Sequence, residues 1–177
     1  MSPVERAFSS IWESNRTMKI SHQFQVLPFP EAEQLEVLTV RLPCSKSAVL
    51  RRLVYSALAK GSSRLTGVTA SDDLQDMIVA LRSLGYTITE GHEEVVVKGS
   101  GSTFKTGDRA ITLSLSGVTA RMIAAMAVLR DGSTMIDGSP PLRKRPLKDL
   151  TIALKNLGAK VSSDSLPLTI TSQGPVS

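Results

Sequence analysis

The apolar residues between positions 47 and 59 recur at the spacing of an α-helix, which places them on one side of it. This apolar face consists of Val49, Leu50, Leu53, Val54, Ala57 and Leu58. A second helix is predicted to run from Ser71 to Gly85. Ser71 is a favourable N-cap residue, and Asp72 and Asp73 follow it in the first turn, where the helix carries partial positive charge.

Alternating apolar and polar residues predict strands near 86–90 and 94–98, joined by a turn that contains glycine. The same alternation in MKISHQFQV and LEVLTVRL, within residues 18–40, gives two further strand signals, separated by two prolines. Residues 1–17 lack the long apolar core of a secretory signal and are predicted to form an irregular extension. An organelle transit peptide is the alternative, which the acidic residues of this segment disfavour.

Comparison of the chain with itself finds two copies of one unit. SALAKGSSRLTGV (56–68) aligns with AVLRDGSTMIDGS (127–139) at a shift of 71 residues. DLQDMIVALRSLGYTI (73–88) aligns with PLKDLTIALKNLGAKV (146–161) at a shift of 73 residues, so a loop differs in length between them. The recurring residues of the second pair are Leu74, Asp76, Ala80, Leu81, Leu84 and Gly85, matched by Leu147, Asp149, Ala153, Leu154, Leu157 and Gly158.

Each copy is predicted to run helix, strand, helix, strand, strand, with repeat one at about 41–103 and repeat two at about 104–175. In the second copy, helices are expected near 117–130 and 146–157, with Pro146 in a first turn. One such unit has too little surface to close a core, so the two are expected to pack together. The predicted fold class is therefore α/β, with helices and strands mixed in two tandem αβαββ units.

The amino-acid composition excludes several classes of function. The 177 residues are 41% hydrophobic but only 4% aromatic, so we expect a core of Leu, Ile, Val, Ala and Met. One cysteine and two histidines suit neither a disulfide framework nor a dedicated zinc site, so we expect no metal and a cytoplasmic location. No apolar run approaches the ~18 residues of a membrane span. The net charge of +5 allows nucleic acid, a membrane surface or a small anion as partner.

The segment from Leu42 to Arg51 is a candidate anion site at the start of the first helix. A helix N-terminus offers free N–H groups and partial positive charge. Lys46 adds a mobile ammonium group, Ser45 and Ser47 add hydroxyls, and Arg51 adds a fork that can grip phosphate or carboxylate. The alternative is a serine N-cap surrounded by solvated basic residues.

Two later segments carry further candidates. Gly117, at the start of the third helix, lets the backbone approach a ligand closely, and Arg121 lies one turn later. The alternative is a capped helix with Arg121 extended along its surface. Arg143 and Arg145 belong to a basic run that leads into the last helix. This run either meets an anion or faces solvent.

Two acidic residues and the cysteine have structural interpretations beside functional ones. Asp72 and Asp73 are expected to stabilise the start of the second helix, and pairing with a basic residue is the alternative. Cys44 is expected to be a packed small residue rather than a nucleophile, because neither histidine lies near it in sequence.

These motifs occur in the order and spacing of a known family. Leu42-Pro-Cys-Ser-Lys-Ser-x-x-x-Arg51 is followed by Ser71-Asp-Asp73, by Ser116-Gly-x-Thr-x-Arg121 and by Arg145-Pro146. As an ordered set they resemble 5-enolpyruvylshikimate-3-phosphate synthase. The related UDP-N-acetylglucosamine enolpyruvyl transferase matches them less well. The resemblance implies that residues 18–177 form part of the N-terminal lobe of this family.

The family transfers the enolpyruvyl group of phosphoenolpyruvate to shikimate 3-phosphate, in the shikimate pathway to aromatic amino acids, without a metal or organic cofactor. By resemblance, Lys46, Ser47 and Arg51 bind shikimate 3-phosphate. Lys46 and the Gly117 backbone are implied to contact phosphoenolpyruvate. Further candidates for a supporting role are Arg121, Arg143, Arg145 and Asp72.

Four positions depart from the family's pattern. Cys44 stands where the family has glycine, and Leu115 and Val118 have replaced an asparagine and a threonine. Pro141 stands where the family has an arginine that grips phosphoenolpyruvate. Arg143 is the nearest residue that could substitute for that charge from a shifted position.

Two functions therefore stay open. In the first, the chain is the N-terminal part of an enolpyruvyl transferase. It then binds its small anionic substrates but requires a partner chain for catalysis, because the family's second lobe supplies the acid–base carboxylates. In the second, it is a non-catalytic scaffold or interaction module, which Leu115, Val118 and Pro141 favour and which predicts an exposed apolar patch through which the chain dimerises. A nucleic-acid partner is not expected, because no aromatic stacking residues accompany the basic segments, and no membrane partner is expected either.

Overall fold

The structure is a computed structural model, and it describes residues 44–101 and 103–174. The predicted extension over 1–17 and the strand signals within 18–40 lie outside the described residues. The first two residues of the candidate anion segment, Leu42 and Pro43, also lie outside them.

Helices and strands are mixed along the described chain, as predicted. The helices are α1 (Lys46–Leu58), α2 (Asp72–Ser83), α3 (Gly117–Ala127), α4 (Pro140–Arg143) and α5 (Lys148–Asn156). The strands are β1 (Lys60–Thr66), β2 (Thr87–Gly91), β3 (Glu94–Ser100), β4 (Arg109–Leu113), β5 (Asp131–Gly138), β6 (Lys160–Val161) and β7 (Leu168–Gln173). Within the described ranges, no helix has the length and apolar character needed to cross a membrane.

The strands form two sheets. The first has the order β1-β3-β2, and both of its pairs are antiparallel. The second has the order β4-β5-β7-β6, in which β4 and β5 run parallel and the other pairs antiparallel. Both halves show the order helix, strand, helix, strand, strand, and the second half adds β4 and α4. That the halves are repeats of one unit, with boundaries at 41–103 and 104–175, remains a prediction.

The start of α2 has the capping arrangement that the sequence predicts. Oγ of Ser71 accepts the N–H of Leu74 at 3.3 Å. Asp72 and Asp73 occupy the first turn, where the partial positive charge of the helix favours carboxylates. Gly85 follows the last turn with a φ of +98°, a left-handed conformation that costs glycine no Cβ clash.

The second half departs from the prediction around Pro146. The helix α5 begins at Lys148 with Leu147 as its N-cap residue, so Pro146 lies before the helix rather than in its first turn. The additional short helix α4 begins with Pro140 and Pro141. Proline suits a first turn because the N–H that it lacks has no intrahelical partner there.

The core is aliphatic, as the composition predicts. One contiguous cluster of buried Leu, Ile, Val, Ala and Met side chains extends through both halves of the described chain. Its most enclosed members include Leu53 on α1, Val97 on β3, Ile123 on α3 and Ile136 on β5, each 0% exposed. Among the described residues no aromatic side chain is fully buried.

One cation lies inside this core. Arg130 is 2% exposed, and its guanidinium donates to the carbonyls of Lys105 at 2.9 Å and Gly107 at 2.8 Å. It also donates to the hydroxyl of Thr134 on β5 at 2.7 Å. Burial lowers the pKa of this guanidinium. The three hydrogen bonds fasten the connection between the two sheets to β5.

Candidate functional site

Lys46 and Asp73 join the starts of two helices. Nζ of Lys46, the first residue of α1, lies 2.6 Å from Oδ2 of Asp73 in the first turn of α2. The hydrogen bond from Lys46 lowers the pKa of the Asp73 carboxyl, and the positive charge of Arg145 acts in the same direction. The side chain of Lys46 remains 57% exposed, so its ammonium is accessible to a ligand.

Gly117 lies beneath two guanidinium groups. A Cβ at this position would lie 2.6 Å from Nη1 of Arg145 and 3.1 Å from Nη1 of Arg121. Arg121 donates to the carbonyls of Gly117 and Pro146, both at 2.9 Å, which fixes the start of α3 to the segment before α5. We call Lys46, Arg121 and Arg145 the basic cluster.

The start of α3 is capped, as one interpretation of the sequence expects. Ser116 is buried, and its Oγ accepts the N–H of Thr119 at 3.3 Å and lies 2.8 Å from the Thr119 hydroxyl. The cap and the ligand interpretation are compatible, because Arg121 turns back onto the Gly117 carbonyl rather than extending along the surface.

Ser47 and Arg51 lie one turn apart on α1, so their side chains share one side of the helix. Both are exposed, and neither side chain has a hydrogen bond or ion pair to another described residue. Asp72 is likewise exposed and unpaired within the described chain, so of the two acidic residues Asp73 is the one that pairs with a base.

Arg143 forms a separate pair. Its Nε and Nη2 donate to Oδ1 and Oδ2 of Asp137, in β5, at 2.8 Å and 2.6 Å. These bonds lower the pKa of Asp137, and the N–H of Gly138 adds to the effect. No described hydrogen bond or ion pair connects Arg143 to the basic cluster. A role for Arg143 in ligand binding therefore requires this bidentate pair to open or to be shared.

Comparison with known proteins identifies the family of the chain. The sequence model for EPSP synthase (3-phosphoshikimate 1-carboxyvinyltransferase) matches residues 34–175. The chain belongs to the EPSP synthase family. It is 39% identical over 135 residues to the 3-phosphoshikimate 1-carboxyvinyltransferase of Rhizobium etli (strain CIAT 652), which covers 75% of this chain and 32% of that protein. The Vibrio campbellii protein of the same name is 40% identical over 126 residues, which cover 70% and 30% of the two chains.

Solved structures agree on the fold. EPSP synthase from Acinetobacter baumannii superposes with a TM-score of 0.67 at 24% identity, over 75% of this chain and 31% of that one. The family model and the relatives confirm the predicted family resemblance, and the superposition confirms the mixed helix and sheet class. The chain spans about a third of the length of the single-function EPSP synthase relatives that it matches. A pentafunctional AROM polypeptide of Schizosaccharomyces japonicus is also similar, 35% identical over 166 residues, and the match covers 10% of that protein.

Three of the four residues that depart from the EPSP synthase pattern, Cys44, Leu115 and Val118, lie within two residues of Lys46 or Gly117 in the sequence. Leu115 and Val118, on either side of the α3 cap, are 51% and 41% exposed. Pro141 is the second residue of α4. Sγ of Cys44 accepts the N–H of Thr69 at 3.4 Å, which lowers the pKa of the thiol, beside a cavity of about 160 Å³. This contact fits the interpretation of Cys44 as a packed residue.

Asp76 shapes the site, although it is not among the predicted site residues. Its buried carboxylate accepts the N–H groups of Ser114 at 2.9 Å, Leu115 at 3.2 Å and Ser116 at 3.1 Å. A side chain of α2 thus holds the loop that leads into α3. Asp76 aligns with Asp149 in the second copy, which singles out this residue in the sequence. The three amides that Asp76 binds, however, lie 38 to 40 residues away.

Proposed function

We propose that the chain binds shikimate 3-phosphate at the start of α1 and contributes this site to a 3-phosphoshikimate 1-carboxyvinyltransferase. The observation that carries the proposal is the basic cluster beside Ser47 and Arg51, whose side chains have no partner among the described residues. Relatives at about 40% identity bear that enzyme's name. Both substrates of that reaction are anions, and preplaced cations and N–H groups stabilise anions best where they need not rearrange.

In this proposal, shikimate 3-phosphate is held at the start of α1. The Ser47 hydroxyl and the Arg51 guanidinium bind its phosphate, and Lys46 supplies a third donor from the preceding position. The free N–H groups of the first helical turn favour the same negative charge. An arginine donates two parallel hydrogen bonds to a phosphate, so Arg51 contributes orientation as well as charge.

Phosphoenolpyruvate is proposed to lie between the starts of α1 and α3. Lys46 contacts it from one side and the Gly117 backbone from the other. Arg121 and Arg145 support its negative charge from above Gly117, where both guanidinium groups already lie. Arg143 contributes only when its pair with Asp137 opens.

Catalysis is proposed to require a second polypeptide. The basic cluster is open to solvent on the described chain, and the transfer of a reactive enolpyruvyl group needs water to be excluded. We propose a cytoplasmic reaction without a cofactor, in which a partner chain or a second copy covers the site and supplies the proton donors and acceptors. The chain alone is expected to release no measurable phosphate from the two substrates.

Titration of the ¹⁵N-labelled chain with shikimate 3-phosphate tests the proposal. We expect ¹H–¹⁵N shifts at the amides of the first turn of α1, and Arg51→Ala should weaken binding about tenfold, the usual worth of a charged hydrogen bond. Arg64→Ala is the matched control, because Arg64 is an exposed arginine of β1 with its own partner, Glu94. Unchanged spectra at millimolar ligand would overturn the proposal.

A scaffold or interaction module is the second candidate. The exposed apolar side chains of Leu115 and Val118 favour it, because they stand where the EPSP synthase pattern has polar groups. It predicts that shikimate 3-phosphate leaves the spectrum unchanged. The substitution pair Leu115→Asn and Val118→Thr distinguishes the two functions: restored ligand binding in the double variant would identify a site that these residues have impaired.

A further inference from the structure

The loop that leads into α3 presents a run of backbone N–H groups, and most of them are already bonded inside the chain. Asp76, on α2, is 7% exposed. Its Oδ2 accepts the N–H groups of Ser114 at 3.0 Å, Leu115 at 3.2 Å and Ser116 at 3.1 Å, and its Oδ1 accepts that of Ser114 at 2.9 Å. Ser114 and Leu115 are exposed residues, yet their amides are bonded to a buried carboxylate.

Two amides of the same run are left for a ligand. Ser116 accepts the N–H of Thr119 through its Oγ at 3.3 Å and that of Ala120 through its carbonyl at 3.0 Å. Within the described chain, the N–H groups of Gly117 and Val118 have no acceptor. The first N–H groups of a helix lack intrahelical acceptors, so an anion can accept them.

These two amides belong to the half of the site proposed for phosphoenolpyruvate. Gly117 is buried beneath the guanidinium groups of Arg121 and Arg145. The guanidinium groups supply charge, whereas the amides supply direction, because a hydrogen bond weakens steeply when the N–H group turns away from its acceptor. A rotation of the loop would therefore turn the amides away from an anion held by the two arginines.

We propose that Asp76 is a positioning residue for phosphoenolpyruvate. By holding the amides of residues 114–116, it fixes the loop so that Gly117 and Val118 direct their N–H groups at the bound anion. Asp76 itself does not touch the ligand. Hydrogen bonds from several amides to one carboxylate are strong and directional, so the loop is oriented before the ligand binds. The inference rests on the proposed function, because it concerns one substrate of that reaction.

The shikimate 3-phosphate half of the site lies on a different helix and contacts a different carboxylate. Asp73, one turn before Asp76 on α2, pairs with Lys46 of α1. The other proposed donors to shikimate 3-phosphate, Ser47 and Arg51, also belong to α1. We therefore expect a change at Asp76 to affect the binding of phosphoenolpyruvate much more than that of shikimate 3-phosphate.

Two substitutions separate the position of the carboxylate from its charge. Asp76→Asn keeps the shape of the side chain but has one acceptor oxygen and no charge, whereas Asp76→Glu keeps the charge and moves it by one methylene group. Each should weaken phosphoenolpyruvate binding about tenfold and change the affinity for shikimate 3-phosphate less than about twofold. A residue acting by charge alone would behave differently: Asp76→Asn would then strengthen the binding of both anions.

NMR titrations of the ¹⁵N-labelled chain with each substrate measure these affinities. Asp149→Asn is the matched control, because it removes the same charge from an exposed position outside the loop, and it should leave both affinities unchanged. Circular dichroism checks that each variant folds. If Asp76→Asn does not fold, Asp76→Glu decides the question.

Hydrogen exchange of the unaltered chain provides a measurement that needs no variant. The amides of residues 114–116 should exchange slowly, and those of Gly117 and Val118 faster until phosphoenolpyruvate protects them. The proposal is wrong if phosphoenolpyruvate protects neither of these two amides, or if it binds a folded Asp76 variant as tightly as the parent chain. Failure of the parent chain to bind shikimate 3-phosphate would instead contradict the proposed function.

Discussion

The ammonium of Lys46 and the carboxylate of Asp73 lie 2.6 Å apart, so the candidate anion site contains its own counter-ion. A phosphate that binds at the start of α1 must share Lys46 with Asp73 or displace it. Because both side chains are partly exposed, the pair is weak, and a ligand with two negative charges can compete for the ammonium. Asp73 therefore sets how readily the site accepts an anion.

Asp73→Asn is expected to raise the affinity for shikimate 3-phosphate. Exposed ion pairs contribute about 0.2–1 kcal/mol, so the gain should be roughly 1.4-fold to fivefold. Calorimetry at low and high salt measures it, and salt should reduce the difference because it screens exposed charges. Asp72→Asn is the control, since Asp72 has no described partner, and it should change affinity less. A weaker affinity in Asp73→Asn would show that Asp73 positions Lys46 rather than competing for it.

The stability of the chain is expected to depend on pH through its paired carboxylates. The pKa values of three carboxyls are lowered, chiefly by hydrogen bonds: that of Asp73 by Lys46, that of Asp137 by Arg143 and that of Asp164 by Thr151. A lowered folded pKa stabilises the fold above the unfolded value of about 3.9. This contribution is lost as the pH falls through the folded pKa.

We therefore expect the free energy of unfolding from urea titrations to change little because of these groups between about pH 7 and pH 5, and to fall below about pH 4. Asp137→Asn should flatten the decrease, because it removes one of the three titrating carboxylates. A stability that rises on acidification through this range would contradict the assignment.

Asp76→Ala is expected to destabilise the chain strongly. It leaves three amides without their acceptor, and an unsatisfied buried donor costs about 1–3 kcal/mol, so we expect a loss of about 3 kcal/mol or more. Asp149→Ala is the matched control, because it is the repeat counterpart on an exposed surface and should change stability by less than about 0.5 kcal/mol. Chemical denaturation at low protein concentration measures both. Equal losses would show that the Asp76 hydrogen bonds contribute little.

Two glycines are expected to respond differently to alanine. A Cβ at Gly99 would press against the backbone carbonyls of Ser56 and Ala59 at the end of α1, so Gly99→Ala should cost about 1–3 kcal/mol of stability. A Cβ at Gly117 meets the flexible end of Arg145 instead, and should cost less than about 1 kcal/mol. Gly117→Ala should nevertheless weaken phosphoenolpyruvate binding, because it displaces Arg145. Thermal melts and ligand titrations of both variants measure the contrast.

The helices of the first half are well predicted from local signals. The apolar spacing of α1 and the Ser71 cap of α2 depend only on nearby residues, so the predicted and observed helices differ by one or two residues at their ends. The helices of the second half depend more on contacts between distant residues. Pro146 is an acceptable helix start in isolation, but its carbonyl accepts a hydrogen bond from Arg121, and the helix begins two residues later.

The side-chain partners of the site could not be predicted from spacing. Lys46 and Asp73 are 27 residues apart, and Asp76 binds amides 38 to 40 residues away, so only the tertiary fold brings them together. The burial of Arg130 could not be predicted either. Arginine is rarely buried, and its acceptors here are backbone carbonyls, which no sequence pattern indicates.

The buried guanidinium of Arg130 affects the proteolysis of the chain. Trypsin cleaves after lysine by binding an extended segment and polarising the lysine carbonyl. The side chain of Lys105 is exposed, but its carbonyl already accepts a hydrogen bond from Nε of Arg130, and the carbonyl of Gly107 is held by the same group. We therefore expect the joint between the two sheets, where a two-sheet chain would ordinarily be cleaved first, to resist cleavage at Lys105.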